Sequence, residues 1–334
     1  MNISVRYFLF EVHTIKSMKI YIEKLKKEIR LNRYSYRTEQ AYLGWVKRYL
    51  VFLHENKISG NYEDKIVTFL NHLTEQRNVA ASTQNQALCS LIFFYEHTLN
   101  MNIGSLSNLS YASKKSNLPV VLSENEARKI LNHLTGVKNL IVSILYGSGL
   151  RISECLRLRV LDLDFDYHQI EIRNSKGNKD RVSILPDSIV RELKNQIKKV
   201  AILHQKDISR GFGNVLLPNA LAVKYPAASS ELKWQYLFPS RKIGNDPRTG
   251  FRHRYHQSAQ AVNRAIKQAV KQSGIQKKVS AHTFRHSFAT QILNNGYDIR
   301  TVQELLGHKN VKTTMIYTHV LNRGGHGVKS PLDI

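Results

Sequence analysis

Apolar side chains recur at helical spacing through most of this sequence. In the N-terminal third, one stretch forms an apolar stripe of five residues: Trp45, Val46, Tyr49, Leu50 and Leu53. Recurrence at about 3.6 residues per turn is typical of an amphipathic helix. Similar stripes run through residues 20–29, 62–73 and 83–99, with short polar loops between them. The pattern predicts a four-helix bundle over residues 18–111, preceded by an N-terminal extension of residues 1–17.

A change of composition follows this bundle. Residues 112–118 are polar and basic and precede Pro119, as in linkers between domains. Ser123 and Glu126 then have the spacing of a helical capping box. We therefore expect a second domain over residues 119–334, in which helical spacing again predominates.

One interval of the second domain has the pattern of strands. Residues 169–173 and 181–185 alternate or run β-branched around a polar stretch that contains Gly177 and Asn178. Two such runs on either side of turn-forming residues predict a β-hairpin. The expected fold class is mainly α: a helical bundle, followed by a mostly α domain with a small antiparallel β-sheet.

Composition excludes several classes of protein. Cys89 and Cys155 are the only cysteines, and they lack metal-ligand spacing, which argues against a disulfide framework or a zinc ribbon. The apolar residues 7–10 are interrupted by Glu11 and fall far short of the run of about 20 that spans a membrane. We expect a cytoplasmic protein without a membrane-spanning segment.

Positive charge is the dominant feature of the composition. The 50 Lys and Arg residues outnumber the 25 Asp and Glu residues, so the formal net charge is +25. Residues 118–334 carry 34 basic and 16 acidic side chains, which is +18 of that total. Because such charge opposes folding by self-repulsion, it indicates a polyanionic partner, with nucleic acid ahead of an anionic membrane surface. We expect the second domain to be the main DNA binder.

Two motifs of the second domain present arginines in unusual settings. In AHTFRHSFAT, helical spacing places Arg285 on the buried face, where a guanidinium needs an anion, and His282 lies one turn earlier. In GSGLRISE, Arg151 lies at the start of a helix and Glu154 one turn later, a setting that suits phosphate. Taken singly, the first motif also fits an internal ion pair and the second a surface ion pair.

Two further motifs complete a recognisable order. His308 follows a helix that ends at Gly307, and Tyr317 lies nine residues beyond His308. Each residue alone fits an ordinary loop histidine or a structural tyrosine. Together, however, the order Arg…Lys…His-x-x-Arg…His…Tyr resembles the tyrosine recombinases, also called the phage integrase family. The resemblance covers residue 19 to the C-terminus, and GLRISE, HTFRHSFAT and LLGHKNVKTTMIYTH carry it.

The resemblance implies a role for each matching position. Tyr317 would attack the scissile phosphate of DNA and form a 3′-phosphotyrosyl intermediate. Arg151, Arg285 and His308 would bind the non-bridging oxygens, and Lys176 would protonate the leaving 5′ oxygen.

Two further residues complete this implied set. His282 matches the auxiliary acid/base, and Glu154 matches the acidic residue that braces the site. Ser175 departs from the Gly usual before the lysine, which puts the turn geometry in question, and Lys179 is a rival of Lys176.

The chemistry fits these residue types without a metal or any other cofactor. Guanidinium and imidazole groups can neutralise the charge that gathers on a phosphate under attack. Tyrosine is a weak nucleophile, so it needs a nearby base or cationic field, which these groups and His282 can supply. The phosphotyrosine bond keeps the energy of the broken phosphodiester, so rejoining needs no ATP. The acidic run at Asp162, Asp164 and Asp166 lies between core leucines and the first strand and is not expected to bind metal.

A segment at about residues 214–236 resembles the insertion peculiar to integron integrases. The substrates implied are gene-cassette attC sites, folded as single-strand hairpins, and duplex attI sites. Unpaired bases of such hairpins stack on aromatic or cationic side chains, and we nominate Trp234 and His256 as base contacts. Trp234 fits a core position equally well. Further expected DNA contacts are Tyr255, Arg252, Arg254, Lys233 and Lys179.

The two domains and their basic linker suggest a C-shaped clamp around DNA. Recombination joins two sites, so we expect a free monomer and a tetramer on DNA. The resemblance implies that residues 321–334 dock on a neighbouring subunit. Two alternatives stay open: a duplex-specific recombinase of phage or Xer type, and a catalytically silent DNA-binding regulator on the same fold.

Overall fold

The structure is a computed structural model that describes residues 15–101, 103, 118–173, 180–217 and 219–317. The chain divides into two compact units, Met1–Ser116 and Asn117–Ile334.

The N-terminal unit is a helical bundle, as the apolar stripes predict. Its helices are α1 (Ile15–Leu31), α2 (Tyr36–Glu55), α3 (Tyr62–Glu75) and α4 (Ala81–Phe93), and α4 continues into a π-helical turn at Phe94–Thr98. The stripe on α2 is buried, and it packs with residues of α1, α3 and α4 into one hydrophobic core. Short polar side chains fix where helices begin, since Ser35 accepts from the Thr38 amide and Asn61 from the Asp64 amide.

The second unit begins with the expected capping box at Ser123 and Glu126. Its helices within the described ranges follow in this order: α5 (Glu124–Asn132), α6 (Gly136–Ser148), α7 (Ile152–Arg157), α8 (Val190–Ile208), α9 (Asn219–Lys224), α10 (Ala259–Ser273), α11 (Ala281–Asn294), α12 (Ile299–Leu306) and α13 (Lys312–Met315). Helix α6 carries Ile141, Val142, Ile144 and Leu145 into the core, where it packs against α11.

The predicted hairpin is confirmed and belongs to a three-stranded antiparallel sheet. Strands β2 (Gln169–Ile172) and β3 (Arg181–Ile184) pair, with Ile170 opposite Ser183. Strand β1 (Leu163–Asp164), which the pattern did not predict, pairs with β2 and uses part of the acidic run. The hairpin turn, residues 174–179, lies outside the described residues, and Lys176 and Lys179 lie with it.

The segment that resembles an insertion folds mainly into short turns. Helix α9 is followed by 3₁₀ turns at Pro226–Ser230 and Leu232–Trp234, and a small apolar cluster unites Val215, Leu217 and Ala228. Trp234 packs at the edge of this cluster. Beyond it, β4 (Gly244–Asn245) pairs with β5 (Arg252–His253), a second small sheet that was not predicted. The mainly α fold class with small antiparallel sheets is confirmed.

The described residues lack two features. None of their helices is both long enough and apolar enough to cross a membrane. No group of three or more His, Cys, Asp or Glu residues in the described ranges is placed to hold a metal ion.

Candidate active site

Helix α11 places a charged side chain inside the second unit. Its apolar residues Phe284, Phe288 and Ala289 are buried, and Arg285, on the same arc of the helix, is only 3% exposed. The Thr283 hydroxyl accepts from the Ser280 amide and so fixes the first turn. The burial of Arg285 agrees with the expectation from helical spacing.

The ends of two other helices receive the Arg285 guanidinium. It donates to the Gly149 carbonyl at the end of α6 and to the Leu306 carbonyl at the end of α12, both at 2.6 Å. Carbonyls at helix ends carry partial negative charge, so they suit a cation. Gly149 has a left-handed backbone with φ of 65°, and a Cβ there would lie 2.3 Å from the Phe288 ring. A glycine is therefore required for α6 to end this close to α11.

Glu154 is the anion at the centre of this group of arginines. Its carboxylate accepts from Arg151 at 2.7 Å and from both Nη atoms of Arg181 at 3.1 and 2.7 Å. Arg285 Nη1 lies 3.8 Å from the same carboxylate. Burial would raise the pKa of Glu154, but the hydrogen bonds and charge of Arg181, together with the Arg151 contacts, lower it to about 2. One carboxylate faces three guanidinium groups, which leaves an excess of positive charge.

Arg181 was missed by the sequence analysis. It is the first residue of β3, and its Nε donates to the Leu305 carbonyl at 3.0 Å while its Nη atoms bind Glu154. It therefore ties the hairpin to both α7 and α12. A Cβ on Gly307 would lie 2.8 Å from the Arg181 side chain, so the glycine that ends α12 also makes room for this arginine. The only sequence signal for Arg181 was a basic residue at the start of a predicted strand.

His308 follows α12 directly after Gly307, as the sequence predicts, and it faces Arg285. Arg285 Nη2 lies 3.1 Å from His308 Nε2, and His308 Nδ1 lies 2.9 Å from the Thr314 hydroxyl. Because a guanidinium can only donate, Nε2 must be the acceptor and Nδ1 must carry the proton. Burial, then the charges of Arg285 and Arg151, lower the pKa of His308 to about 4. The ring is therefore neutral at pH 7.

Tyr317 lies two residues beyond α13 and is only 1% exposed. Its ring stacks on His308 with centroids 6.4 Å apart, and its hydroxyl lies 2.8 Å from Nδ1 of His286. Burial raises the pKa of Tyr317, while the charges of Arg285 and Arg151 act in the opposite direction.

The structure corrects the expectation for His282. We expected His282 to serve as the base beside the tyrosine, but the histidine in contact with the Tyr317 hydroxyl is His286, one turn later on α11. His282 is exposed, and its ring centroid lies 6.4 Å from that of His286. Although the side chain reaches the surface, partial desolvation of its ring and then the charges of Arg285 and Arg151 lower the pKa of His282.

The predicted base contacts lie along a strip of aromatic and cationic side chains. Arg159 lies over the half-buried Trp234 at 5.8 Å and over Tyr236 at 4.8 Å. Tyr236 in turn meets the rings of Tyr255 and His256, which lie against each other with centroids 4.1 Å apart. Tyr236 itself is buried, as befits a core residue.

A cavity of about 230 Å³ opens beside Trp234. Arg157, Arg159 and Arg173 line it, together with Glu154 and Asp162, so the arginines outnumber the carboxylates. Trp234 therefore borders a cationic cavity that adjoins the arginine cluster.

The remaining predicted DNA contacts differ in what they can reach. Arg252 is exposed, with its guanidinium over Phe212, and Lys233 is exposed and paired with Glu231. Arg254 is buried: it binds both carboxylate oxygens of Asp207 and the carbonyls of Ser240 and Arg241. The expectation of a DNA contact by Arg254 is therefore wrong, because its donors are used inside the protein.

A tyrosine hydroxyl held among arginines and histidines, in a mostly helical unit that follows a helical bundle, defines the tyrosine class of DNA recombinases. The model of the Phage integrase family matches residues 120–323, and that of its N-terminal SAM-like domain matches residues 21–105. This chain therefore belongs to the phage integrase family.

Individual relatives agree with this assignment. An "Integrase/recombinase" of Escherichia coli is 44% identical over 319 residues, which are 96% of this chain and 94% of the relative. A "Tyrosine recombinase XerC" of Listeria welshimeri is 30% identical over 306 residues, 86% of this chain and 88% of the relative. The Tn1549 transposon integrase, solved in complex with transposon right end DNA, is 18% identical with a TM-score of 0.59. It covers 89% of this chain and 94% of that one, and shares the fold.

Proposed function

We propose that this protein is a site-specific DNA recombinase that cleaves and rejoins strands through Tyr317. The observation that carries the proposal is the environment of Tyr317: its hydroxyl lies within hydrogen-bond distance of His286 Nδ1, its ring stacks on His308, and the Arg285 guanidinium contacts the same His308. In this scheme the Tyr317 oxygen bonds to phosphorus as the bond from phosphorus to the 5′ oxygen breaks. A free 5′ hydroxyl and a 3′-phosphotyrosyl bond result. Attack by another 5′ hydroxyl reverses the step and joins a new strand.

The charges of the site support a phosphodiester as substrate. The three guanidinium groups of Arg151, Arg181 and Arg285 outweigh the single carboxylate of Glu154, and a phosphodiester supplies one further negative charge. Arg181 is fully engaged with Glu154 and Leu305, whereas the partly exposed side chain of Arg151 can turn towards a non-bridging oxygen. Preorganised donors of this kind stabilise charge that develops in the transition state.

Protonation of the leaving 5′ oxygen completes the scheme. We assign this step to Lys176, with Lys179 as its rival, from the resemblance alone. The arriving phosphate also raises the proton affinity of His308. When Arg285 Nη2 turns from His308 Nε2 to the phosphate, Nε2 can take up a proton and donate it to a non-bridging oxygen. His282 assists at the same oxygens. No step needs a metal ion or ATP, because the phosphotyrosine bond keeps the energy of the broken strand.

A covalent trapping experiment tests this function. Wild type and Tyr317→Phe are incubated without metal with a folded attC-type hairpin and, separately, with a duplex site, each nicked near the cleavage point. We expect a protein–DNA adduct on a denaturing gel for the wild type alone. Binding by both proteins without any adduct would favour the silent regulator.

The finer proposal is that the substrates are integron sites: folded attC hairpins and duplex attI. The resemblance of residues 214–236 to the integron insertion supports it, as does the cationic cavity beside Trp234, because an extrahelical base can stack on an aromatic ring there. Exposed Tyr255 with its neighbour His256 provides a second stacking surface. Arg252 and Lys233 are exposed and can reach the phosphates of the DNA backbone.

Trp234→Ala is expected to weaken hairpin binding about tenfold, since base stacking contributes about 1–3 kcal/mol, while duplex attI binding stays unchanged. Gel-shift titration of both DNAs measures the difference. Tyr167→Ala, which removes an exposed aromatic ring of the same unit, serves as the control. Equal losses on hairpin and duplex would contradict extrahelical base recognition.

The second candidate is a duplex-specific recombinase, which the similarity to XerC favours equally well. Adduct formation on duplex but not on hairpin would select it. For either substrate we propose a free monomer that assembles as a tetramer on two DNA sites in the cytoplasm, at the nucleoid. Gel filtration with and without DNA measures this change of size.

A further inference from the structure

His286 lies in the site, but none of the roles assigned above involves it. It follows Arg285 on α11, and its Nδ1 lies 2.8 Å from the Tyr317 hydroxyl. The two ring centroids are 5.5 Å apart, and the planes are inclined at 51°. The side chain is half-buried.

The neighbouring histidines are less suited to receive the tyrosine proton. His308 uses Nε2 towards Arg285 and Nδ1 towards Thr314, so both of its nitrogens are occupied. His282 is one ring further away, with its centroid 6.4 Å from that of His286. His286 is thus the imidazole in direct hydrogen-bond contact with the atom that would attack.

We propose that His286 is a catalytic residue whose Nδ1 holds the Tyr317 hydroxyl and accepts its proton during attack. This inference rests on the proposed recombinase function and deepens it. As the bond between Tyr317 Oη and phosphorus forms, the proton passes from Oη to Nδ1 and the bond from phosphorus to the 5′ oxygen breaks. The 5′ oxygen receives its proton from a separate acid. In the reverse reaction the imidazolium returns its proton to Oη.

The charges around His286 make this base dependent on DNA. Burial, then His282 and Arg285, lower the pKa of His286 to about 4, so the free protein holds a weak base against a neutral tyrosine. His308 also interacts electrostatically with His286. Glu154, which Arg151 and Arg181 bind, lies on the far side of Arg285. A scissile phosphate beside the arginines offsets their charge and raises the proton affinity of His286. His286 therefore becomes a stronger base only when a scissile phosphate is bound in the site.

The first test compares rates of adduct formation under single-turnover conditions. An asparagine amide can occupy the position of Nδ1 and hold the tyrosine hydroxyl, but it cannot take up a proton. We expect His286→Asn and His286→Ala both to be slower than wild type by about a hundredfold, the lower range for general base catalysis. His133→Asn, at the exposed position that follows the last residue of α5, serves as the matched control. Far-ultraviolet circular dichroism and gel shifts establish folding and DNA binding of each variant.

The second test separates this base from the leaving-group acid. In a nicked substrate with a bridging 5′-phosphorothiolate, the sulfur leaves without needing a proton. Loss of the acid, as in Lys176→Ala, is therefore rescued on this substrate. Loss of the base is not, so we expect His286→Asn to remain about a hundredfold slow.

Each outcome decides the proposal. A wild-type rate for His286→Asn, or its rescue by the phosphorothiolate, would overturn the role of His286 as proton acceptor. Absence of any Tyr317-dependent adduct with the wild type would overturn the recombinase function itself, and this inference with it.

Discussion

Arg285→Lys is expected to slow covalent strand cleavage by about a thousandfold, the cost of losing a preorganised donor to transition-state charge. The guanidinium binds the Gly149 and Leu306 carbonyls and still faces His308 and Glu154. A lysine ammonium keeps the positive charge but cannot span these partners, because it lacks the planar fork. Burial, and then Arg151, lower the pKa of Arg285 to about 9, which still leaves it charged at pH 7.

Single-turnover adduct formation on a nicked substrate measures this effect. DNA binding should change little, because much of the binding energy comes from many phosphate contacts elsewhere on a chain of net charge +25. Arg191→Lys, at an exposed position on α8, is the matched control and should cleave at the wild-type rate. A cleavage rate for Arg285→Lys within tenfold of wild type would contradict the assigned role.

Glu154→Gln is expected to lower the free energy of unfolding by about 3 kcal/mol at pH 7, since it leaves buried guanidinium groups without their anion. The carboxylate is buried and accepts from Arg151 and Arg181. Its folded pKa of about 2 lies below the ordinary 4.5, a difference that itself corresponds to about 3 kcal/mol.

The pH dependence follows from the direction of this shift. A carboxyl with a lowered folded pKa contributes its full stability above about pH 4.5, and that contribution is lost as the pH falls towards 2. The difference between wild type and Glu154→Gln should therefore shrink across this window. Urea unfolding at a series of pH values measures it, with the partly exposed Glu171→Gln as control. A constant difference from pH 7 to pH 3 would exclude the carboxylate as its source.

Local patterns predicted most of the fold. The stripe from Trp45 to Leu53 became the buried face of α2, and the capping box at Ser123 marks the start of α5. The hairpin strands around Gly177 were predicted because alternation and turn chemistry are both readable from neighbouring residues. The short strands β1 and β4 were missed, since two residues are too few to show alternation.

Contacts between distant segments explain what was missed in the site. Arg181 binds a carboxylate 27 positions away, and His286 meets a tyrosine 31 positions away. Neither pairing follows from the periodicity of either segment. Arg254 shows the opposite kind of error. Its basic surroundings in the sequence predicted a DNA contact, but its guanidinium is bound to Asp207, 47 positions earlier.

The carbonyl contacts of the arginines join segments that are made at very different times. Arg285 reaches back 136 positions to Gly149, and Arg151 reaches forward 156 positions to Gly307. A chain still on the ribosome therefore has α6 and α7 long before it has the helices that complete the cluster, and Tyr317 follows later still. Translation products that stop short of this point lack Tyr317, the proposed nucleophile, so the proposed strand cleavage requires a chain completed at least to residue 317.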